Sequence, residues 1–329
     1  MNMNKKFEYK VVIHCLTYNH APYIKDAMDG FVIQNTNFPF VAVIIDDAST
    51  DGEPEVIKNY LDEHFDMHKA RQWESEEAHF VEVCHKENKN CTFAVLFLKY
   101  NFYQAKKRKD SIEERWIQNT QYVAFGEGDD YWTDPNKLQR QVDFMDSNSD
   151  YVAIATNGIF YNTFDGTKKP ISDQPEKDIT LKDLLSKPRS FGTASVLYKK
   201  AVIENDFYTI KYRYDVMMWC YFASKGKFKY LDSITFTYRK GTQGVTISTD
   251  PYVWATNMKG LKQELKERFP NEYVGNLKNE ISWLYIDAAT KYIKKGQWFR
   301  KNFFRSINKC IWSLPRATFM QCIKAFIRK

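Results

Sequence analysis

A chain of 329 residues with 43% hydrophobic and 16% aromatic side chains can bury the core of one large or two ordinary domains. No run of eighteen apolar residues occurs, which excludes a spanning helix, and MNMNKKFEYK followed by VVIHCL is too short and too soon polar for a secretory signal. Cys15, Cys84, Cys91, Cys220, Cys310 and Cys322 form no CxxC pair and no zinc spacing, so a reducing, cytoplasmic setting is expected. The net charge of +7 is unevenly spread: every charged residue from Ala288 onward is Lys or Arg, and the rest of the chain is net acidic. That asymmetry predicts a local anionic partner at one end and argues against a generally basic, nucleic-acid-binding protein.

In chain order, Lys10 to Leu16 reads as a buried strand, and a helix follows Pro22 with Ile24, Met28 and Phe31 on one face. Phe40 to Ile45 is a second buried strand ending at Asp46-Asp47, and Ser49 to Gly52 supply turn chemistry before a helix marked by Val56, Ile57, Tyr60 and Leu61. Phe80 to Cys84 reads as a strand and Thr92 to Ala105 as a helix. Gln121 to Phe125 is a further strand, running into EGDDYWTDP and a helix with Leu138, Val142 and Met145 inside. Arg71 to Ala78 and Lys106 to Glu114 are charged and lack apolar periodicity, so solvated loops are expected there. Past Tyr151 the pattern changes. Tyr151 to Thr156, Ser195 to Tyr198 and Thr235 to Tyr238 read as strands, Val216 to Ala223 as a helix, and the chain from about Val253 as helical.

Strands alternating with helices predict an α/β fold with a mostly parallel, Rossmann-like sheet, and such sheets bind ligands beyond the carboxyl ends of their strands. Three polar clusters fall there: Thr17-Tyr18-Asn19, Asp46-Asp47, and Glu127-Gly128-Asp129-Asp130. Carboxylates this close resist ionising together unless a cation or several donors stand nearby. A hard divalent cation, Mg²⁺ or Mn²⁺, suits such a rim and would neutralise a departing diphosphate. The plainer alternative is that the acids cap the helix begun at Pro135, a role expected of Asp134. GDD also occurs in RNA polymerases, but nothing around it here supports that reading. His64 and His68 stand four apart, as helical zinc ligands would, without a third ligand in the pattern; an exposed helix end is expected. His14 and His20, flanking the Thr17 loop, are read as structural.

Taken together, VVIHCLTYNHAPYIKDAMDGFVIQ, VAVIIDDASTDG and VAFGEGDDYWTDPNKLQRQVDFM resemble the inverting family 2 glycosyltransferases of the GT-A fold, over roughly residues 10 to 245. The resemblance implies a catalytic domain over residues 1–250, with a nucleotide-sugar half (10–150), an acceptor half (151–250), and a helical, basic extension over 251–329. It implies that Thr17, Tyr18 and Asn19 form a nucleotide-contacting loop and that Asp46, with Asp47, accepts hydrogen bonds from base or ribose. Asp129 falls at the metal-binding acid. The family's DxD reads ExDD here, so Glu127 is assigned to the sugar or to metal-bound water, and Asp130 to nucleotide-sugar binding. Asp215 in YRYDVMMWCYFASKG matches the catalytic base, while an N-cap is the plainer reading. Arg239, in TFTYRKGTQGVTIS, matches a phosphate contact or a packing residue, and Gly241 stands where many relatives carry a histidine. Phe191 to Ser195 matches the acceptor loop.

The expected partners are a nucleoside diphosphate sugar donor, with UDP favoured, and a glycan or lipid-linked acceptor of surface polysaccharide or lipopolysaccharide synthesis. The tail, QWFRKNFFRSINKCIWSLPRATFMQCIKAFIRK, places aromatic and apolar residues among its cations, a composition suited to an anionic membrane interface. Packing of these helices on the catalytic domain is the alternative. Two other functions share part of this pattern. A nucleotidyltransferase of similar fold would carry a glycine-rich basic loop where TYNHAP stands, and a non-catalytic binding module would leave the three rim clusters without a purpose.

Overall fold

The computed structural model describes residues 8–186, 191–241, 249–297 and 300–313. Its first half runs β1 (Val11–Thr17), α1 (Ile24–Val32), β2 (Phe40–Asp46), α2 (Glu53–His64), β3 (Arg71–Glu74), β4 (Ala78–Cys84), β5 (Cys91–Leu98), α3 (Asp110–Ile117), β6 (Tyr122–Glu127), β7 (Tyr131–Trp132) and α4 (Lys137–Ser147). The second continues with β8 (Tyr151–Asn162), β9 (Lys168–Pro170), β10 (Lys177–Ile179), α5 (Leu181–Ser186), β11 (Leu197–Lys199), α6 (Asp215–Lys225), β12 (Lys227–Lys240), α7 (Pro251–Arg268), α8 (Leu277–Lys294) and α9 (Lys301–Ser313). Internal contacts divide the chain into two compact units. One comprises Met1–Ile179, Arg189–Glu204 and Phe222–Lys240, the other Thr180–Pro188, Asn205–Tyr221 and Gly241–Lys329.

The first unit is built on one sheet, ordered β10-β12-β8-β11-β6-β1-β2-β5-β4-β3. At its centre β6, β1, β2 and β5 run parallel, while β11 enters antiparallel between β6 and β8. These central strands are buried on both faces, so they read as unbroken apolar runs. Alternate side chains sort into two layers. Val11, Ile13, Cys15, Phe40, Ala42 and Ile44 pack with α1, α2 and α4, and Val12, Val41, Val43 and Ile45 pack with Trp116 of α3. At about 25 cal/mol per Å² of apolar surface removed from water, this two-sided burial is the main stabilising term of the unit.

Four expectations of local structure are corrected. Thr92 to Ala105 is not a helix: CTFAVLFL is β5, parallel to β2 and antiparallel to β4. An apolar run buried on both sides has no period with which to tell strand from helix, and the aromatic and β-branched content decides for the strand. Arg71 to Glu74 is not a loop but the edge strand β3, its charges facing solvent on the outer rim of the sheet. Asp110 to Ile117 forms α3, whose Trp116 is buried although the helix is otherwise rich in charge. Ser195 belongs to a 3₁₀ turn, Thr193–Ser195, ahead of β11.

In the second unit α7, α8 and α9 are tied through one carboxylate. Asp250 accepts from the amides of Tyr252 (3.0 Å) and Val253 (3.2 Å), capping α7, and from Tyr292 Oη (2.5 Å) and Asn302 Nδ2 (3.2 Å) of the other two helices. No helix among the described residues is long and apolar enough to cross a membrane. The tail's Phe319 and Ile323 lie outside the described residues, as do Trp298, Phe299 and, within TFTYRKGTQGVTIS, Gly244 and Val245.

Candidate active site

Parallel register brings the three predicted clusters to one edge. Thr17 pairs with Asp46 across β1 and β2, and Leu16 pairs with Glu127 across β1 and β6. Asn19 adopts φ 57°, the left-handed conformation that asparagine tolerates, which turns the chain back over the strand end. Its amide donates to Ser49 Oγ (2.8 Å) and its Oδ1 accepts from the Thr50 amide (2.8 Å), stitching the loop after β1 to the loop after β2. Beneath this seam lies Glu53, a fully buried carboxylate that accepts from Thr17 Oγ1, from the His20 amide (2.8 Å) and from Ser49 Oγ (2.8 Å). Tyr18 is left exposed at the loop tip.

The adjacent acids after β2 do different work. Asp46 is buried and accepts from the Ser49 amide at 3.1 Å. Burial raises its pKa to about 6, with nearby Glu53 adding to the rise and the Ser49 hydrogen bonds opposing it. Asp47 accepts from the amides of Phe102 (2.7 Å) and Tyr103 (3.3 Å) and from Lys109 Nζ (3.0 Å). Its carboxylate thus holds the segment after β5 against the rim.

At the acidic turn, Glu127 closes β6, half-buried, and its carbonyl accepts from the Asp130 amide (3.3 Å). Gly128 is required by close approach, since a Cβ there would lie 2.1 Å from Thr17 Oγ1. Asp130 points inward, buried, and accepts from the Arg239 amide at 2.8 Å; burial, and then the charge of Asp129, hold its carboxyl well above the usual range. Arg239 supports the turn from below: its guanidinium donates to the Asp129 carbonyl (3.2 Å), pairs with Asp26, and stacks on Tyr131 at 4.3 Å from the ring centroid. Asp129 keeps 31% of its side chain exposed, with His20 Nε2 3.9 Å away.

No group of three metal-ligating side chains occurs among the described residues. A cation bound here would need diphosphate and water oxygens to complete its ligands, as is usual for Mg²⁺, and the part-exposed Asp129 is a carboxylate that could hold it. The donor set does not fit an all-protein cage.

Behind the turn a buried polar chain fixes its rear. Trp132 Nε1 donates to the Ala194 carbonyl (2.8 Å), and Lys137 Nζ lies 4.0 Å from the centroid of the Trp132 indole. Lys137 is fully buried, which lowers its pKa to about 7, and donates to Gln141 Oε1 (2.9 Å). Gln141 in turn donates to the Ser195 carbonyl (2.7 Å), so the Thr193–Ser195 turn hangs from α4 and β7. The expected cap on α4 is also reassigned. Asp134 takes the Asn136 amide (2.9 Å), while the Leu138 amide is capped by Gln34 Oε1 (3.1 Å), more than a hundred residues earlier.

In the second unit Asp215 is the first residue of α6, half-buried, its Oδ1 accepting from the Val216 amide at 2.8 Å. The sequence reading passed over Glu53, Asp26 and Gln34 entirely and gave His20 no place beside Asp129. An acid in the first turn of a helix is ordinary, so Glu53 in ASTDGE carried no distinguishing signal.

A family model described as Glycosyl transferase family 2 matches residues 13–206. Curated relatives include uncharacterized proteins of Mycobacterium tuberculosis and Mycobacterium bovis, each 29% identical over 260 residues; the match covers 76% of this chain and 65% of their length. Among solved structures, Staphylococcus aureus TarS 1–349 in complex with UDP is similar, with a TM-score of 0.53 at 13% identity, covering 93% of this chain and 81% of that one. At such identity the likeness speaks for the fold, and it agrees with the parallel centre and strand-end rim described above. The chain belongs to glycosyl transferase family 2 and has a GT-A type of fold.

Proposed function

We propose that the protein is an inverting, metal-dependent glycosyltransferase using a nucleoside diphosphate sugar, with UDP as the nucleotide. The observation that carries this reading is the register that sets Thr17, Asp46 and Glu127 on one edge, with the Asp129 carboxylate beside them. Asp46 accepts from the base or ribose, the Thr17–Asn19 loop borders the nucleotide, and Glu127 faces the sugar. A bound Mg²⁺ or Mn²⁺ would supply charge neutralisation of the leaving diphosphate. Asp129 would hold that ion. Asp130 and Arg239, engaged with each other, keep the turn in place. Asp215 takes the proton from the acceptor hydroxyl as its oxygen attacks the anomeric carbon, a step worth about 10²–10⁴-fold.

On this reading residues 1–250 form the catalytic domain and 251–329 an extension, and the acceptor is a lipid-linked glycan of a cell-surface polymer. The extension exposes Trp283, Ile293 and Phe304 in a segment that ends without acidic residues, which supports docking on anionic lipid at the inner face of the membrane. Calorimetric titration of UDP with Mn²⁺ and a donor-turnover assay test the centre of the proposal. Asp129→Asn is expected to lose metal-dependent UDP binding and transfer together, whereas Asp215→Asn keeps UDP binding and loses transfer. Asp129→Asn that binds UDP with Mn²⁺ as tightly as the parent refutes the metal assignment.

A further inference from the structure

Asp215 stands at the end of a segment, Thr209 to Tyr214, that has no sheet partner and is held within the second unit by α7. Glu264, only 7% exposed, is the centre of that hold. Its Oε1 accepts from the Lys211 amide (3.0 Å) and its Oε2 from the Tyr212 amide (2.9 Å), so one carboxylate grips two consecutive backbone N–H groups. Those two bonds and the Arg268 guanidinium, whose Nε lies 3.1 Å from Oε1, keep the Glu264 carboxyl below its ordinary range despite its burial. Arg268 also reaches Thr209 Oγ1 (2.9 Å), securing the start of the segment. One turn before Glu264, Gly260 makes room for the Tyr212 ring: a Cβ there would stand 2.1 Å from Tyr212 Cζ. A carboxylate on paired amides is a charge-assisted contact, roughly twice as strong as a neutral one. It fixes the backbone three residues before Asp215.

We propose that Glu264 is a positioning residue for Asp215, making α7, which lies beyond the family match, a working part of the acceptor half. This rests on the reading of Asp215 as the base. A base misplaced by about 1 Å loses on the order of 10²-fold in rate, so a grip of this kind has a kinetic consequence separate from stability.

The test uses the full chain and the UDP- or GDP-sugar that the parent hydrolyses fastest with Mn²⁺ in a panel, water standing in for the acceptor. In Glu264→Gln the side-chain amide presents a donor to one of the two amides. The expected result is a kcat at least tenfold lower, a donor KM within twofold, and faster amide exchange at Lys211 and Tyr212. In the Asp215→Asn background the same change is expected to cost nothing further, because both act through one group. Gly260→Ala, which presses on Tyr212, is expected to give the same split and carries the test if Glu264→Gln fails to fold. An unchanged kcat with the amides released overturns the inference, as does a loss that multiplies with that of Asp215→Asn. Full turnover in Asp215→Asn alone removes the base itself, an outcome separable from either.

Discussion

The rim of the first unit and the Asp215 segment of the second are held by opposite means. At the rim, sheet register does the placing: neighbouring parallel strands end level, so Thr17, Asp46 and Glu127 arrive together, and Glu53 only locks the loops between them. Ahead of Asp215 there is no ladder, and the backbone is set by a side chain more than fifty residues later. A site built on register tolerates changes in loop residues; a site built on one carboxylate does not. The expected consequences of substitution follow that division.

The sharpest blow to the rim is aimed at its lock. Glu53→Ala leaves Thr17 Oγ1, the His20 amide and Ser49 Oγ without their acceptor in a buried place, and is expected to cost about 2–4 kcal/mol in urea unfolding. Glu55→Ala, an exposed acid in the same first turn, is expected to stay within about 0.5 kcal/mol. Equal effects at the two positions would show that the rim is carried by register alone.

This division also explains what the sequence made legible. Strand-end clusters could be found because strands announce themselves as apolar runs and polar residues stand out where the runs stop. TYN, DD and EGDD were therefore visible as a set. The supports were not: Gln34 capping α4 and Asp26 on Arg239 in the first unit, and Glu264 on the Lys211 amide in the second, all join residues far apart in the chain, and none leaves a local pattern. The strand Cys91–Leu98 was misread for a related reason, since burial on both faces erases the period that distinguishes a strand from a helix. Asp47 looked equivalent to Asp46 in sequence, yet its carboxylate is engaged by the segment after β5.

A smaller effect is expected from Asp46 as pH changes. Burial keeps the proton on Asp46 up to about pH 6, whereas in the unfolded chain it leaves near pH 4. Between those values the folded state carries the extra proton, so this group's contribution to stability is full below the window and is lost as pH rises through about 6. If Asp46 accepts from the nucleotide as proposed, UDP binding needs its ionised carboxylate and is expected to strengthen by up to about tenfold per pH unit below 6 and then level off. Asp46→Asn is expected to abolish both dependences. A binding curve that keeps its slope in Asp46→Asn assigns it to another group.

The mildest expected change tests whether a distant cap contributes to the turn it borders. Gln34 takes the Leu138 amide at the start of α4 with its Oε1, and its Nε2 donates to the carbonyls of Gly30 (3.1 Å) and Asp134 (2.9 Å). It thus joins α1 to the chain between the acidic turn and α4. Gln34→Ala is expected to lower stability by about 1 kcal/mol, the size of a lost helix cap, measured as a shift in the urea midpoint at constant slope. Gln34→Glu keeps the acceptor for Leu138 but turns a carboxylate on two carbonyls, so it is expected to be worse than alanine if those carbonyl contacts matter. Should the glutamate variant match the parent, the two carbonyl contacts contribute nothing, and the turn is held from the Arg239 side.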